Sequence, residues 1–190
     1  MTAVRQRPRP AARTADLSHG YYRIVAASRG AVGQAVAYAG TLKVDEAVEE
    51  TVDEAVAALR ARLDQRTERF EAARDPDGWP SPEEYREALR AIPDEQSALM
   101  VRLLRAHGRR PEALATVNDL GRIVGLDPAE VWKQYGRLGR KLNAHLRFGR
   151  LRKSSAGQRY VVDSFATVSP IEGSEVLAIR LRPEIVEAVS

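Results

Sequence analysis

The stretch Thr116–Leu146, TVNDLGRIVGLDPAEVWKQYGRLGRKLNAHL, constrains the chain most, because it carries two helix starts and a helix stop in close succession. Thr116 is placed to cap a first helix, with Asp119 three residues on reaching back to it, and Gly125 suits the left-handed residue that ends one. Asp127 then caps a second helix, Pro128 fits its first turn, and Glu130 completes another capping box. Signals this close together predict two helices joined by a tight turn. The apolar spacing agrees. Leu120, Ile123 and Val124 define one face of the first helix, and Val131, Tyr135, Leu138 and Leu142 define one stripe of the second, with Trp132 packing beside it. Gly121 is small where the helices must approach. Gly136 and Gly139 each cost a helix interior roughly 1 kcal/mol relative to Ala. Close approach of a neighbouring element, or of a DNA backbone, would offset that cost.

The other face of the second helix carries Lys133, Gln134, Arg137, Arg140 and Lys141. Side chains of these types reach phosphates and base edges in a major groove. Lys133, Gln134 and Arg137 are assigned to base edges, Gln134 suiting adenine and Arg137 suiting guanine. Arg140, Lys141, Arg147, Arg150, Arg152 and Lys153 are assigned to phosphates. A helical hairpin that docks a protein rather than DNA is the alternative.

Charge follows the same division. The net formal charge is +4, but residues 44–95 carry 7 basic and 16 acidic side chains, whereas residues 96–160 carry 14 basic and 4 acidic. Clustered cations of this kind favour a polyanion, because binding phosphates releases condensed counterions. Other classes lack their residues. There is no Cys, hence no disulfide, thiolate metal site or cysteine nucleophile. The three histidines stand alone, His19 in the amino-terminal tail and His107 and His145 near helix ends, and are expected to be surface or partly packed residues. No Gly-rich phosphate loop and no nuclease constellation is present. The reading therefore assigns no enzyme, catalytic residue, metal or cofactor. Without an 18-residue apolar run or a signal-peptide core, it places the protein in the cytoplasm, away from membranes.

In chain order, residues 1–19 read as a disordered basic arm, with Arg5, Arg7 and Arg9 interleaved with prolines. Residues 20–74 read as a β-hairpin followed by a long helix that Thr51 and Glu54 cap. A two-stranded hairpin makes a poor core alone, so a third strand, a partner chain or packing against the second half is expected. Residues 75–82, DPDGWPSP, read as a linker, and 83–190 as the second domain. There SPEEYREALRAI and PDEQSALMVRLLRAHG are helices, RYVVDSFATV and SEVLAIRLR are strands, and PEIVEAV is a closing helix. Helices followed by a β-hairpin give a winged-helix arrangement. Its wing is Pro170–Ser174 with flanking residues, or alternatively the basic loop 149–159.

EYREAL, TVNDLGRIVG, YGRLGRKL and RPEIVEA, with YGRLGR the most specific, resemble a winged-helix-like domain of bacterial proteins that sometimes stands beside HNH-type endonucleases in restriction-like systems. The resemblance covers about 81–189, although the group usually carries more aromatics than RRPEALATVNDL. It implies DNA association and a role in defence rather than a reaction. The hairpin followed by TVDEAVAALRARL resembles the small β–β–α modules of the HicB antitoxin type.

The fold class read from the sequence is α+β, a hairpin–helix module followed by a winged helix-turn-helix-like domain. The expected function is binding of double-stranded DNA by a regulator or by a non-catalytic subunit of a bacterial defence or mobile-element system. The alternatives are an assembly subunit of a nucleoprotein complex with backbone-only contacts, and an antitoxin-like protein. A protein partner or a second copy is expected on the amino-terminal module.

Overall fold

The computed structural model describes residues 14–92, 94–146, 160–171, 173 and 176–190. The chain is mixed α and β and divides into two compact units, residues up to 39 with 43–65, and residues 40–42 with 66–190.

In the first unit Gly20, Gly30 and Gly40 recur every ten residues and set the architecture. Each adopts a positive φ, of 59°, 66° and 60°, while Tyr21, Ala31 and Thr41 after them do not. A two-residue connection with positive φ only at its first central position is a type II′ turn, whose twist matches that of paired strands. The result is a meander: β1 (Thr14–His19), β2 (Tyr22–Arg29), β3 (Val32–Ala39) and β4 (Leu42–Glu49), in that spatial order. One face supplies Tyr22, Ile24, Ala26, Ala35, Ala37, Ala39 and Ala47 to a core shared with Ala55, Val56, Leu59 and Leu63 of α1 (Val52–Ala72). The alanines let the helix lie close to the sheet. Thr51 and Glu54 form the expected capping box, the Glu54 amide donating to Thr51 Oγ1 at 3.2 Å and the Thr51 amide to Glu54 Oε2 at 3.0 Å. Two expectations are corrected. Residues 14–19 form β1 rather than the end of a disordered arm, because Ala15 and Leu17 pack against this core and His19 reaches Asp64 at 2.7 Å. The expected hairpin is a four-stranded sheet, so the chain itself supplies the missing strands.

The second unit contains the end of α1, then α2 (Pro82–Arg90), α3 (Asp94–Gly108), β5 (Leu114–Thr116), α4 (Val117–Val124), α5 (Pro128–Leu146), β6 (Ala166–Pro170), β7 (Leu177–Leu181) and α6 (Pro183–Val189). Its antiparallel sheet has the order β5-β7-β6. Tyr85, Met100, Leu103, Leu104, Leu120, Tyr135, Leu138, Phe165 and Ile179 lie in its core. The boundary between the units falls inside α1 and not at 75–82. That stretch is folded: Asp75 Oδ1 accepts the Trp79 amide at 2.7 Å, and the Arg182 guanidinium lies 3.2 Å from the centre of the Trp79 ring. RYVVDSFATV is only half strand, since Val161–Ser164 form a 3₁₀ turn before β6. Among the described residues no helix is long and apolar enough to cross a membrane.

Candidate nucleic-acid interface

Strand β5 runs directly into α4 through Thr116, which ends the strand and caps the helix. Its hydroxyl accepts the Asp119 amide at 3.1 Å and donates to Asp119 Oδ2 at 2.8 Å, which holds that carboxyl below the usual carboxylate range. Helix α4 ends at Gly125, in the left-handed conformation at φ 72°. A Cβ at Gly121 would stand 2.5 Å from the Leu126 carbonyl oxygen, so the turn folds back onto the helix at that residue. Asp127 Oδ1 then accepts the Ala129 amide at 2.8 Å and opens α5.

Helix α5 is fixed from behind. Val131, Tyr135, Leu138 and Leu142 are buried, as their spacing predicts. Tyr135 places its ring edge against Phe165, with centroids 5.4 Å apart. His107, expected on the surface or partly packed, is fully buried at the end of α3 and ties three elements together. A carbonyl only accepts, so His107 Nε2–H donates to Ile179 O on β7 at 3.0 Å. Its Nδ1 therefore accepts the Tyr135 hydroxyl proton from α5, at 2.6 Å. Burial pushes the imidazole pKa down to about 4, which keeps the ring neutral. At Gly139 an added Cβ would lie 2.3 Å from the Val161 carbonyl oxygen, so a neighbouring element does approach here. Gly136 has no such neighbour among the described residues; a Cβ there would meet only Arg140 Nη1, at 3.6 Å.

The outer side of α5 brings together Lys133, Arg137 and Arg140. Lys133 and Arg140 are exposed, and the Arg137 side chain is 41% exposed. Glu130 organises the first turn of this ridge. It lies 3.2 Å from Lys133 Nζ and 3.8 Å from Arg137 Nη1, and it accepts the Gln134 amide at 2.5 Å. Those contacts, Gln134 first and then Lys133, hold the Glu130 carboxyl below its ordinary range. Two expectations change as a result. Gln134 is 6% exposed and does not share the outer face with Lys133 and Arg137. Glu130 turns to partners three and four residues on, and its partners lie along the ridge rather than at Asp127. Lys141 is half-buried beside His145, whose pKa burial and the Lys141 charge both lower. Arg147, Arg150, Arg152 and Lys153 lie outside the described residues, as does the 149–159 loop except for its neighbour Tyr160.

The hairpin of β6 and β7 brings no cation to its described tip. Ile171, Val176 and Leu177 are exposed there, and the Ile171 amide donates to Val176 O at 2.9 Å. On α4, Ile123 is 49% exposed and lies off the core face that its spacing predicted. Among the described residues no group of three or more His, Asp or Glu is placed to hold a metal ion. Sequence reasoning passed over two sets of side chains. Glu130 was read only as a cap, and Arg102, Arg105 and Arg109 were counted as charge without a place, although Arg102 and Arg105 share a face of α3 and Arg109 follows in the turn after it. No family model, no curated protein and no solved structure matches the chain at a significant level.

Proposed function

We propose that the protein binds double-stranded DNA through a winged helix-turn-helix, with α5 as the reading helix. The carrying observation is the ridge of Lys133, Arg137 and Arg140 on the helix that follows β5, α4 and a left-handed turn. The element order, closed by a β6–β7 hairpin in a sheet of order β5-β7-β6, supports the winged-helix reading. Arg137 reads guanine through O6 and N7, and Lys133 reaches a neighbouring base edge. Arg140 and Lys141 hold phosphates, which fixes register without carrying sequence information. Glu130 keeps Lys133 and Arg137 ordered and gives them up as the base edges take its place. Its carboxylate also suits the N4 amine of cytosine. Gln134 supports this ridge from below rather than reading adenine itself.

The test is fluorescence anisotropy of the full chain on random duplex DNA across a salt series. Binding is expected to weaken steeply with salt, and replacing Arg137, Arg140 and Lys141 together with Ala should flatten the slope by about 3. Arg137→Ala alone should relax sequence preference, whereas Arg140→Ala should weaken all sequences alike. Absence of binding at low salt, or an unchanged triple variant, would overturn the proposal.

A further inference from the structure

A second surface, away from the outer ridge of α5, carries its own chemistry. Between α3 and α4 lies an open groove of about 550 Å³, with Val101, Ile123 and Val124 among its apolar walls and Arg102, Arg105 and Arg109 around it. Among the described residues no carboxylate lines it. Two of the arginines are held in place by carbonyls at helix ends. Arg102 Nη2 donates to Val124 O at 3.1 Å, at the end of α4, and Arg105 Nε donates to Val189 O at 2.7 Å, at the end of α6. Each of these bonds uses one of the five N–H donors of a guanidinium. The anchoring lowers the entropy that a ligand would otherwise have to overcome to order these side chains.

We infer that this groove docks an acidic segment of a partner protein, with aliphatic side chains on Ile123 and Val101 and carboxylates on Arg102, Arg105 and Arg109. Charge complementarity sets the sign of the occupant, because among the described residues three cations and no anion line the groove. The half-exposed Ile123 sets its apolar character: a phosphate backbone brings nothing to cover an isoleucine, whereas an amphipathic helix brings anchors at i, i+3, i+4 and i+7. The chain's own amino-terminal arm has the wrong sign, since Arg5, Arg7 and Arg9 repeat the charge of the groove. The inference does not depend on DNA binding by α5, and the two surfaces have no residue in common.

The probe is a fluorescein-labelled helical peptide with leucines at those four positions and glutamates elsewhere, titrated with the full chain. Two sister peptides carry Gln for Glu, or Ser for Leu. Both changes to the peptide, and Ile123→Glu or Arg109→Glu in the protein, are each expected to weaken binding about ten-fold. Ile123 is half-exposed and Arg109 exposed, so both variants should remain folded, and Ile123→Ser serves as a milder check by circular dichroism. Failure of the parent peptide to bind, or indifference to Ile123, would overturn the inference. Equal binding of the Ser peptide would reduce the groove to a polyanion site and also overturn it. So would displacement of the peptide by duplex DNA together with loss of DNA binding in Arg109→Glu.

Discussion

Gly139 and Gly136 stand one turn apart on α5, yet their surroundings have nothing in common. At Gly139 a methyl group would press on the Val161 carbonyl at 2.3 Å, while at Gly136 it would meet, among described residues, only the end of a flexible arginine at 3.6 Å. The inner side of the helix is determined several times over, by Gly139, by the Tyr135–His107–Ile179 chain of hydrogen bonds and by the buried leucines. Among the described residues, the outer side is held by Glu130 and its cations. One residue type thus answers two different demands. Packing requires the glycine at 139. At 136 no described protein atom requires it, and under the DNA proposal a duplex backbone seated on the ridge is the neighbour that would.

The largest test of the inner side is pH. The folded pKa of His107, about 4, lies below the unfolded value near 6.5, so the unfolded chain binds the extra proton between them. Stability is complete above that window and falls as pH drops through it, by about 3 kcal/mol at pH 4. Urea unfolding of the wild type against His107→Leu should show this loss only in the wild type; parallel pH profiles would remove His107 from the account. Next, Gly139→Ala should cost about 2 kcal/mol, overpacking outweighing the gain in helix propensity. Gly136→Ala should instead gain up to about 1 kcal/mol. Thermal unfolding reads both, and shifts of the same sign would erase the contrast. The same Gly136→Ala protein should bind duplex DNA more weakly despite its added stability; unchanged affinity would mean that no backbone approaches there. The smallest effect is expected from Glu130→Gln, which frees Lys133 and Arg137 for the duplex and removes a negative charge that repels it. Affinity should rise about three-fold at low salt, with a steeper salt dependence.

Most features set within four residues were legible in the sequence, although Glu130 pairs with Lys133 and Gln134 rather than closing a box with Asp127. The boxes at Thr51–Glu54 and Thr116–Asp119 both form, because cap and responder lie within one turn. The burial of Gln134 was legible too: it lies three residues after Val131 and four before Leu138, on the buried stripe, and only its polarity argued otherwise. Features set by distant partners were not. Strand β5 is three residues long and exists through pairs such as Ala115 with Ile179. Val161 and Val162 have strand-forming side chains, but other contacts decide their conformation. The Val161 carbonyl rests on Gly139 and accepts the Ser164 hydroxyl at 2.6 Å, and Tyr85 donates to Ser164 O at 2.6 Å. For Ile123 the helical period was right in kind, but the short α4 turns it towards α3 rather than into the core.

The ten-residue recurrence of Gly20, Gly30 and Gly40 also bears on the order in which the molecule comes into being. Every strand of the first sheet pairs with its neighbour in sequence across a two-residue turn, so little chain entropy is lost at each closure. Strand β5, by contrast, waits for β7, and Ala115 finds its partner only when Ile179 has been synthesised. On the ribosome the meander and the first turns of α1 are therefore expected to be complete while α5 still lacks the strand that pins it, and stopped-flow refolding should show the same two phases.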